Sequence, residues 1–237
     1  FIKKLMKDKN YLFLDSPKLI EEVIKANYII KYFITDRQHK FEKIYDYVNK
    51  CESEIIEVSE SVFKTLSNTV WSQGIIAITT KSERTLAPPS GNYLVLDEVQ
   101  DPGNVGTLIR SGLGSGFEDI YLLNCASLSN DKVIRSTMGA IFNARIYELS
   151  RGKFLDFFKT FKNKNLLVAD MLGDNLYKTK IKTPCGLVIG NEGNGVSEEI
   201  RKISKGIVSI PMKNDLESLN AGVAGSIIMF QIQNQIN

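Results

Sequence analysis

Histidine is almost missing from this chain: His39 is the single one among 237 residues. It sits in the polar stretch Asp36-Arg37-Gln38-His39-Lys40, which reads as a solvated loop. A Ser-His-Asp triad built elsewhere and a histidine-rich metal site are therefore not expected, and no metal is. Cysteine is scarce too. Cys51, Cys125 and Cys185 are scattered, with no CxxC pair. An odd, unpatterned set suits a reducing cytosol and reads as small buried apolar residues, with no disulfide framework. No apolar run approaches the ~20 residues needed to cross a bilayer. Residues 1–10 (FIKKLMKDKN) lack the apolar centre of a secretory signal, so a cytoplasmic protein is expected. The chain starts at Phe1 without a Met, and a preceding stretch is expected. Charge of one sign is also lacking: the net value is +3. Basic clusters exist at Lys3, Lys4, Lys7, Lys9 and at Arg151, Lys153, Lys159, Lys162, Lys164, but each alone reads as a solvated face.

What remains is an ordinary globular composition, 43% apolar and 24% charged, at a length for one large or two ordinary domains. Residues 1–80 read as a small α/β unit. Strands are expected at Tyr11–Leu14, Tyr28–Thr35, Ile55–Val58 and Ile75–Thr80. Helices are expected after Ser16-Pro17, over 40–50 and over Ser59–Leu66. Residues 81–92 (KSERTLAPPSGN) break the pattern with two prolines and a glycine and read as a linker. From residue 93 to 237 strands and helices alternate: strands at Tyr93–Val99, Ile120–Leu123, Arg145–Leu149, Leu166–Ala169, Leu187–Ile189 and Ile207–Ile210. Helices are expected near 104–115, 132–138, 152–161, 197–203 and 219–234. That alternation calls for an α/β fold with a parallel sheet flanked by helices.

Three turns in this second part look built to present backbone to a ligand. They are Asp101-Pro102-Gly103-Asn104-Val105-Gly106, Gly190-Asn191-Glu192-Gly193-Asn194-Gly195 and Glu217-Ser218-Leu219-Asn220-Ala221-Gly222. Each links an apolar run to a helical pattern, which is where open α/β sheets place ligands. None is a standard phosphate loop. Val196 stands where a Walker A motif needs Lys after Gly190 and Gly195. The dinucleotide pattern fails at Phe117 after Gly112 and Gly114, and at Glu198 after Gly193 and Gly195.

Taken in order, the segments Leu96–Arg110, Leu187–Ser197 and Val208–Met212 with Glu217–Ala224 resemble the three signature motifs of the SpoU (TrmH-like) branch of the SPOUT RNA methyltransferases. The resemblance covers about residues 91–237. It implies a C-terminal trefoil knot, which connection rules alone would never propose. It implies S-adenosyl-L-methionine as cofactor, an obligate homodimer, and 2′-O-methylation of a ribose in RNA, ribosomal RNA foremost and transfer RNA as the alternative. The N-terminal unit resembles the small ribosomal-protein-like domain with which such enzymes hold RNA.

The same resemblance assigns roles. Arg110, Asn104, Glu192, Ser218 and Asn220 would form the catalytic set; Gly190, Glu192, Gly193, Ile210, Met212 and Leu219 would hold the cofactor. A ribose hydroxyl needs to lose its proton, and the sulfonium donor is already activated, so a base, a rigid geometry and a dry pocket suffice. Arg110 would activate the hydroxyl or act as a phosphate clamp, since its guanidinium is normally protonated. Asn104 would cap its helix or organise Arg110. Glu192 would orient Arg110 or the substrate across the dimer. Ser218 and Asn220 would cap the last helix or line the pocket. Arg135, in Arg135-Ser136-Thr137-Met138-Gly139, is a candidate RNA contact. Two other readings stand beside this one: a non-catalytic RNA- or ribosome-binding protein, and a small-molecule α/β enzyme, against which the failed phosphate-loop patterns count.

Overall fold

The computed structural model describes residues 1–6, 8, 10–36, 48, 53–67, 73–81, 84–214 and 218–236. Of the helix expected over 40–50 only Val48 is described; His39, Cys51, Trp71 and Glu217 lie outside the described residues. The chain packs as two compact units. One is Phe1–Glu83 with Leu128–Phe142, the other Arg84–Ser127 with Asn143–Asn237.

In the first unit, strands β1 (Tyr11–Leu14), β2 (Ile30–Thr35), β3 (Glu54–Glu57) and β4 (Ile75–Thr80) form a sheet in the order β1-β4-β2-β3. β4 is antiparallel to both neighbours, and β3 runs parallel to β2. The run IIAITT is central because five of its six residues are buried, as a strand covered on both faces requires. The helix Pro17–Lys25 starts where its local chemistry dictates. Ser16 Oγ accepts from Leu19 N, and Pro17 takes the first helical position, where a missing N–H costs nothing. Leu19, Ile20 and Val23 form its buried stripe. Ile34, Phe63, Leu66, Ile76 and Ile78 cluster in the core, each such side chain contributing roughly 1.5–3 kcal/mol by burial.

Residues 128–142 lie in the stretch expected to form the second domain, yet Leu128–Phe142 clusters with the first unit. Arg135 Nη1 pairs with Asp15 Oδ2 at 3.1 Å, and the Phe142 ring meets Tyr28 edge-on at 5.3 Å. Chain order cannot show such a return, because it is decided by long-range packing of Val133, Ile134, Ile141 and Phe142, all buried.

The second unit holds six parallel strands in the order β10-β8-β9-β5-β6-β7. They are β5 (Tyr93–Asp97), β6 (Asp119–Leu123), β7 (Arg145–Leu149), β8 (Leu166–Asn175), β9 (Gly186–Gly190) and β10 (Gly206–Ser209). β5 and β6 are buried at every residue, which explains their unbroken apolar runs. A layer of rings packs on this sheet. Tyr121 stacks on Tyr147 at 5.3 Å and meets Phe154 at 5.4 Å and Phe161 at 5.8 Å. β8 runs six residues past the expected Leu166–Ala169, because its pairing with β10 resumes after an excursion: Val168 faces Ile207, then Asp174 faces Val208. Strand order is not chain order. β9 inserts between β8 and β5, and β10 lies outside β8. The carboxyl ends of β5 and β9 therefore come side by side, Asp97 opposite Gly190.

Candidate active site

The first turn leaves β5 through Glu98, whose φ of 60° is left-handed and costly for a residue with a side chain. Neighbours hold it there. Its N–H donates to Leu123 O (2.9 Å), its carbonyl accepts from Asn191 Nδ2 (2.9 Å), and its carboxylate pairs with Arg151 Nη2 (2.9 Å). The helix Pro102–Gly114 then begins. Asp101, not Asn104, is its cap: Asp101 Oδ1 accepts from Asn104 N at 2.8 Å, with Pro102 next.

Freed from capping, the Asn104 side chain reaches the second turn. It is buried, and its Nδ2 donates to Glu192 Oε1 at 2.9 Å. The second turn closes on itself: Asn191 N donates to Gly195 O (3.1 Å) and Gly195 N to Asn191 O (2.9 Å). Asn191 Oδ1 accepts from the N–H groups of Gly193 and Asn194. Gly190 has no room for a side chain, since a Cβ there would lie 2.3 Å from Gly195 C and 2.4 Å from Val196 N.

The third turn arrives from β10. Asn220 caps the last helix, Ala221–Asn234, by accepting from Val223 N at 3.2 Å. This helix packs back on Pro102–Gly114: Ser226 Oγ donates to Gly222 O (2.6 Å) and lies 2.7 Å from Ser111 Oγ. Gly222 lies beside Asn104. A Cβ there would sit 3.2 Å from both Asn104 Oδ1 and Asn220 Oδ1. One buried amide, Asn104, thus joins all three turns: Glu192 holds its nitrogen, and its oxygen faces Gly222 beside Asn220.

Arg110 lies on the exposed side of its helix, and its side chain makes no hydrogen bond or ion pair with the described residues. Glu192 is committed to Asn104, not to Arg110. Glu192, Gly193, Ser218 and Asn220 are exposed; Gly190, Ile210, Met212 and Leu219 are half-buried. Asn220, not Ser218, caps the last helix. Among the described residues no group of three or more His, Cys, Asp or Glu is placed to hold a metal ion.

Sequence reasoning missed the frame beneath these turns. Asp97, 1% exposed, ends β5; its Oδ2 accepts from Ser197 N (2.8 Å) and its Oδ1 from Arg151 Nε (3.1 Å). Burial disfavours the Arg151 charge, but Asp97 and Glu98 outweigh it and hold the guanidinium above its ordinary value. Arg201 Nε donates to Val196 O (3.0 Å), and its guanidinium pairs with Asp170. Burial pushes the Asp170 carboxyl up, yet bonds from Leu172 N and Arg201 prevail and hold it below the usual range. The signal available in sequence was the pair Asp97-Glu98 closing an otherwise apolar strand.

Comparison with known proteins places these residues in context. Residues 91–230 match the SpoU rRNA Methylase family, and residues 17–85 match the RNA 2′-O ribose methyltransferase substrate-binding family. The chain is 26% identical over 232 residues to 23S rRNA (guanosine(2553)-2′-O)-methyltransferase RlmP of Bacillus subtilis, covering 98% of this chain and 92% of that protein. It is 29% identical over 182 residues to an uncharacterized tRNA/rRNA methyltransferase of Synechocystis, covering 75% of this chain and 66% of the relative. Among solved structures, AviRb from Streptomyces viridochromogenes, a SpoU methyltransferase in complex with AdoMet, superposes with a TM-score of 0.88 at 21% identity. That match covers 99% of this chain and 96% of AviRb, and at such identity the likeness is one of fold.

Proposed function

Since the chain belongs to the SpoU rRNA methylase family, we propose that it transfers a methyl group from S-adenosyl-L-methionine to the 2′-hydroxyl of a ribose in ribosomal RNA. The observation that carries this is the Asn104 amide, bonded to Glu192 of the second turn and lying beside Gly222 of the third, with Arg110 on the same helix making no hydrogen bond or ion pair with the described residues. A binding module has no need of a buried amide held so closely.

The residues fit the cofactor. Gly190, Ile210, Met212 and Leu219 offer half-buried apolar surface and backbone, with Glu192 and Gly193 open beside them. When bound, the cofactor supplies a methyl group already activated as a sulfonium. The protein's share is placement and charge. Arg110 brings a positive charge to the substrate. It holds the RNA phosphate and stabilises the 2′-oxyanion as the proton passes to solvent water. Asn104 and Glu192 fix the helix that carries Arg110, and Ser218 and Asn220 border the pocket.

Three further parts belong to this reading. Residues 1–80 hold the RNA, and 81–92 link them to the catalytic residues 93–237. The last strands, in the order β10-β8-β9-β5, with the final helix returning onto Pro102–Gly114, form a trefoil knot. A second copy covers the exposed apolar residues of that final helix, Val223 and Phe230, to give a homodimer. An RNA substrate and the free thiols of Cys125 and Cys185 point to the cytoplasm.

Calorimetry with S-adenosyl-L-methionine and transfer of labelled methyl to ribosomal and transfer RNA test the proposal. Binding, followed by a 2′-O-methyl mark in ribosomal RNA, is the expected result. Absence of cofactor binding would remove the enzyme reading, and a mark confined to transfer RNA would move the substrate.

A further inference from the structure

The edge of the sheet opposite the three turns carries a separate charge pattern. All six strands are parallel, so each begins at that edge. Lys164 precedes β8 by two residues, Lys182 precedes β9 by four, and Lys205 immediately precedes β10. The backbone binds these approaches together. Asn165 Nδ2 donates to Lys182 O, Asn163 Nδ2 to Pro184 O, and Lys205 N to Leu166 O at 2.7 Å. Neighbouring strands lie ~4.8 Å apart, so the three starts span only about 10 Å. Lys162, Lys180 and Lys202 extend the set.

All six lysines are exposed, and none forms an ion pair with a described residue. No carboxylate interrupts them: residues 157–169, 175–191 and 200–214 contain neither Asp nor Glu. The acids farther along the same edge are already neutralised. Arg145 pairs with Asp119 at 2.7 Å and Glu118 at 2.9 Å, at the starts of β6 and β7. A chain with a net charge of only +3 thus concentrates unopposed cations on one edge. Packed like charges repel, and the arrangement gains energy only when a polyanion releases its counterions onto it.

We propose that this edge is a second RNA-binding surface, which grips the phosphodiester backbone of the same substrate RNA away from the methylated nucleotide. It rests on the RNA-methyltransferase reading. Lysines here act as point charges on phosphate, so the surface adds affinity and no sequence preference.

The test is the salt dependence of binding to protein-free large-subunit ribosomal RNA. The variant replaces Lys164, Lys182 and Lys205 with glutamine. A control, compared per charge removed, replaces Lys153, at the opposite end of its helix, and Lys159, which already faces Asp156, with glutamine. At about 0.7 counterions per contact, the slope of log K against log salt falls by about two, and affinity at about 0.1 M salt drops roughly 100-fold. The control should move it less than 10-fold, and S-adenosyl-L-methionine affinity should stay within twofold in both. Equal effects of variant and control, or an unchanged slope, overturn the second surface while leaving the enzyme reading intact. A wild-type protein that binds no RNA sinks that reading instead.

Discussion

Replacing Gly190 with alanine puts a methyl group where the backbone of Gly195 and Val196 already lies. The built Cβ is 2.3 Å from Gly195 C and 2.4 Å from Val196 N, against an ordinary contact above 3.4 Å. No rotamer change relieves a clash with main chain, so the turn must open by about 1 Å. Opening strains the two bonds that close it, Asn191 N to Gly195 O and Gly195 N to Asn191 O. Each is worth about 0.5–1.5 kcal/mol, and overpacking adds about 1–3 kcal/mol, giving a loss of about 3 kcal/mol. Glu192 rides on this turn, so the Asn104–Glu192 bond moves with it. Differential scanning calorimetry should show a fall of roughly 6–12 °C in Tm. Titration with S-adenosyl-L-methionine should show an affinity loss of at least tenfold. Gly193→Ala is the internal control: its nearest neighbour would be Asn191 Oδ1 at an ordinary 3.5 Å, so Tm should move by less than about 1 °C. Equal Tm values for Gly190→Ala and wild type would show that the turn does not pack as described.

Other perturbations have equally definite outcomes. Arg110→Ala should keep Tm and cofactor affinity but lower methyl transfer at least 100-fold, and near-normal turnover would remove Arg110 from the chemistry. Tyr121→Phe should cost about 1 kcal/mol, because Tyr121 Oη donates to Ala87 O at 3.0 Å. Tyr93→Phe should be neutral or stabilising, both effects being read from urea titration, because its buried hydroxyl has no partner among the described residues. Burial pushes the Cys125 and Cys185 thiols up to about 12. A raised folded pKa gives stability that is present below the unfolded value and lost as pH rises, so unfolding free energy should decline from about pH 9 upward. Cys125→Ser with Cys185→Ala should flatten that decline, and a pH profile that keeps its slope would contradict the burial.

How far the sequence carries depends on whether a feature is local. Strand positions in the second unit follow from continuous apolar runs such as Tyr93–Asp97, which local composition sets. Their order in the sheet does not. Nothing in Leu166–Ala169 or Leu187–Ile189 tells that β9 inserts beside β5, because parallel pairing joins residues about 90 apart. The return of Leu128–Phe142 to the first unit is hidden for the same reason. β8 extends past the expected Leu166–Ala169 because an excursion at 169–173 carries Met171 and Leu172 into solvent, 61% and 91% exposed, where an apolar run predicts burial.

The site divides along the same line. In sequence the turns at Gly190 and Gly222 read as backbone presented to a ligand; in the structure each lies against the protein itself, Gly190 on Gly195 and Val196, Gly222 beside Asn104 and Asn220. What spacing could not rank was competition between neighbours for one task. Asp101 and Asn104 are both good capping residues three positions apart. With Pro102 fixed at the first helical position, Asp101 takes the cap and Asn104 falls within the first turn, where its amide can leave the helix. Cap choice thus decides where the Asn104 amide goes: were Asn104 the cap, its oxygen would be spent on its own helix and Glu192 would lose its partner. Asp101→Ala with Asn104 intact should therefore do more than weaken a helix by about 1 kcal/mol. By inviting Asn104 back to the cap, it should release Glu192 and lower methyl transfer beyond what the stability loss explains, a difference read from kcat at a temperature where both proteins are folded. Equal kcat would leave Asp101 as a cap and nothing more.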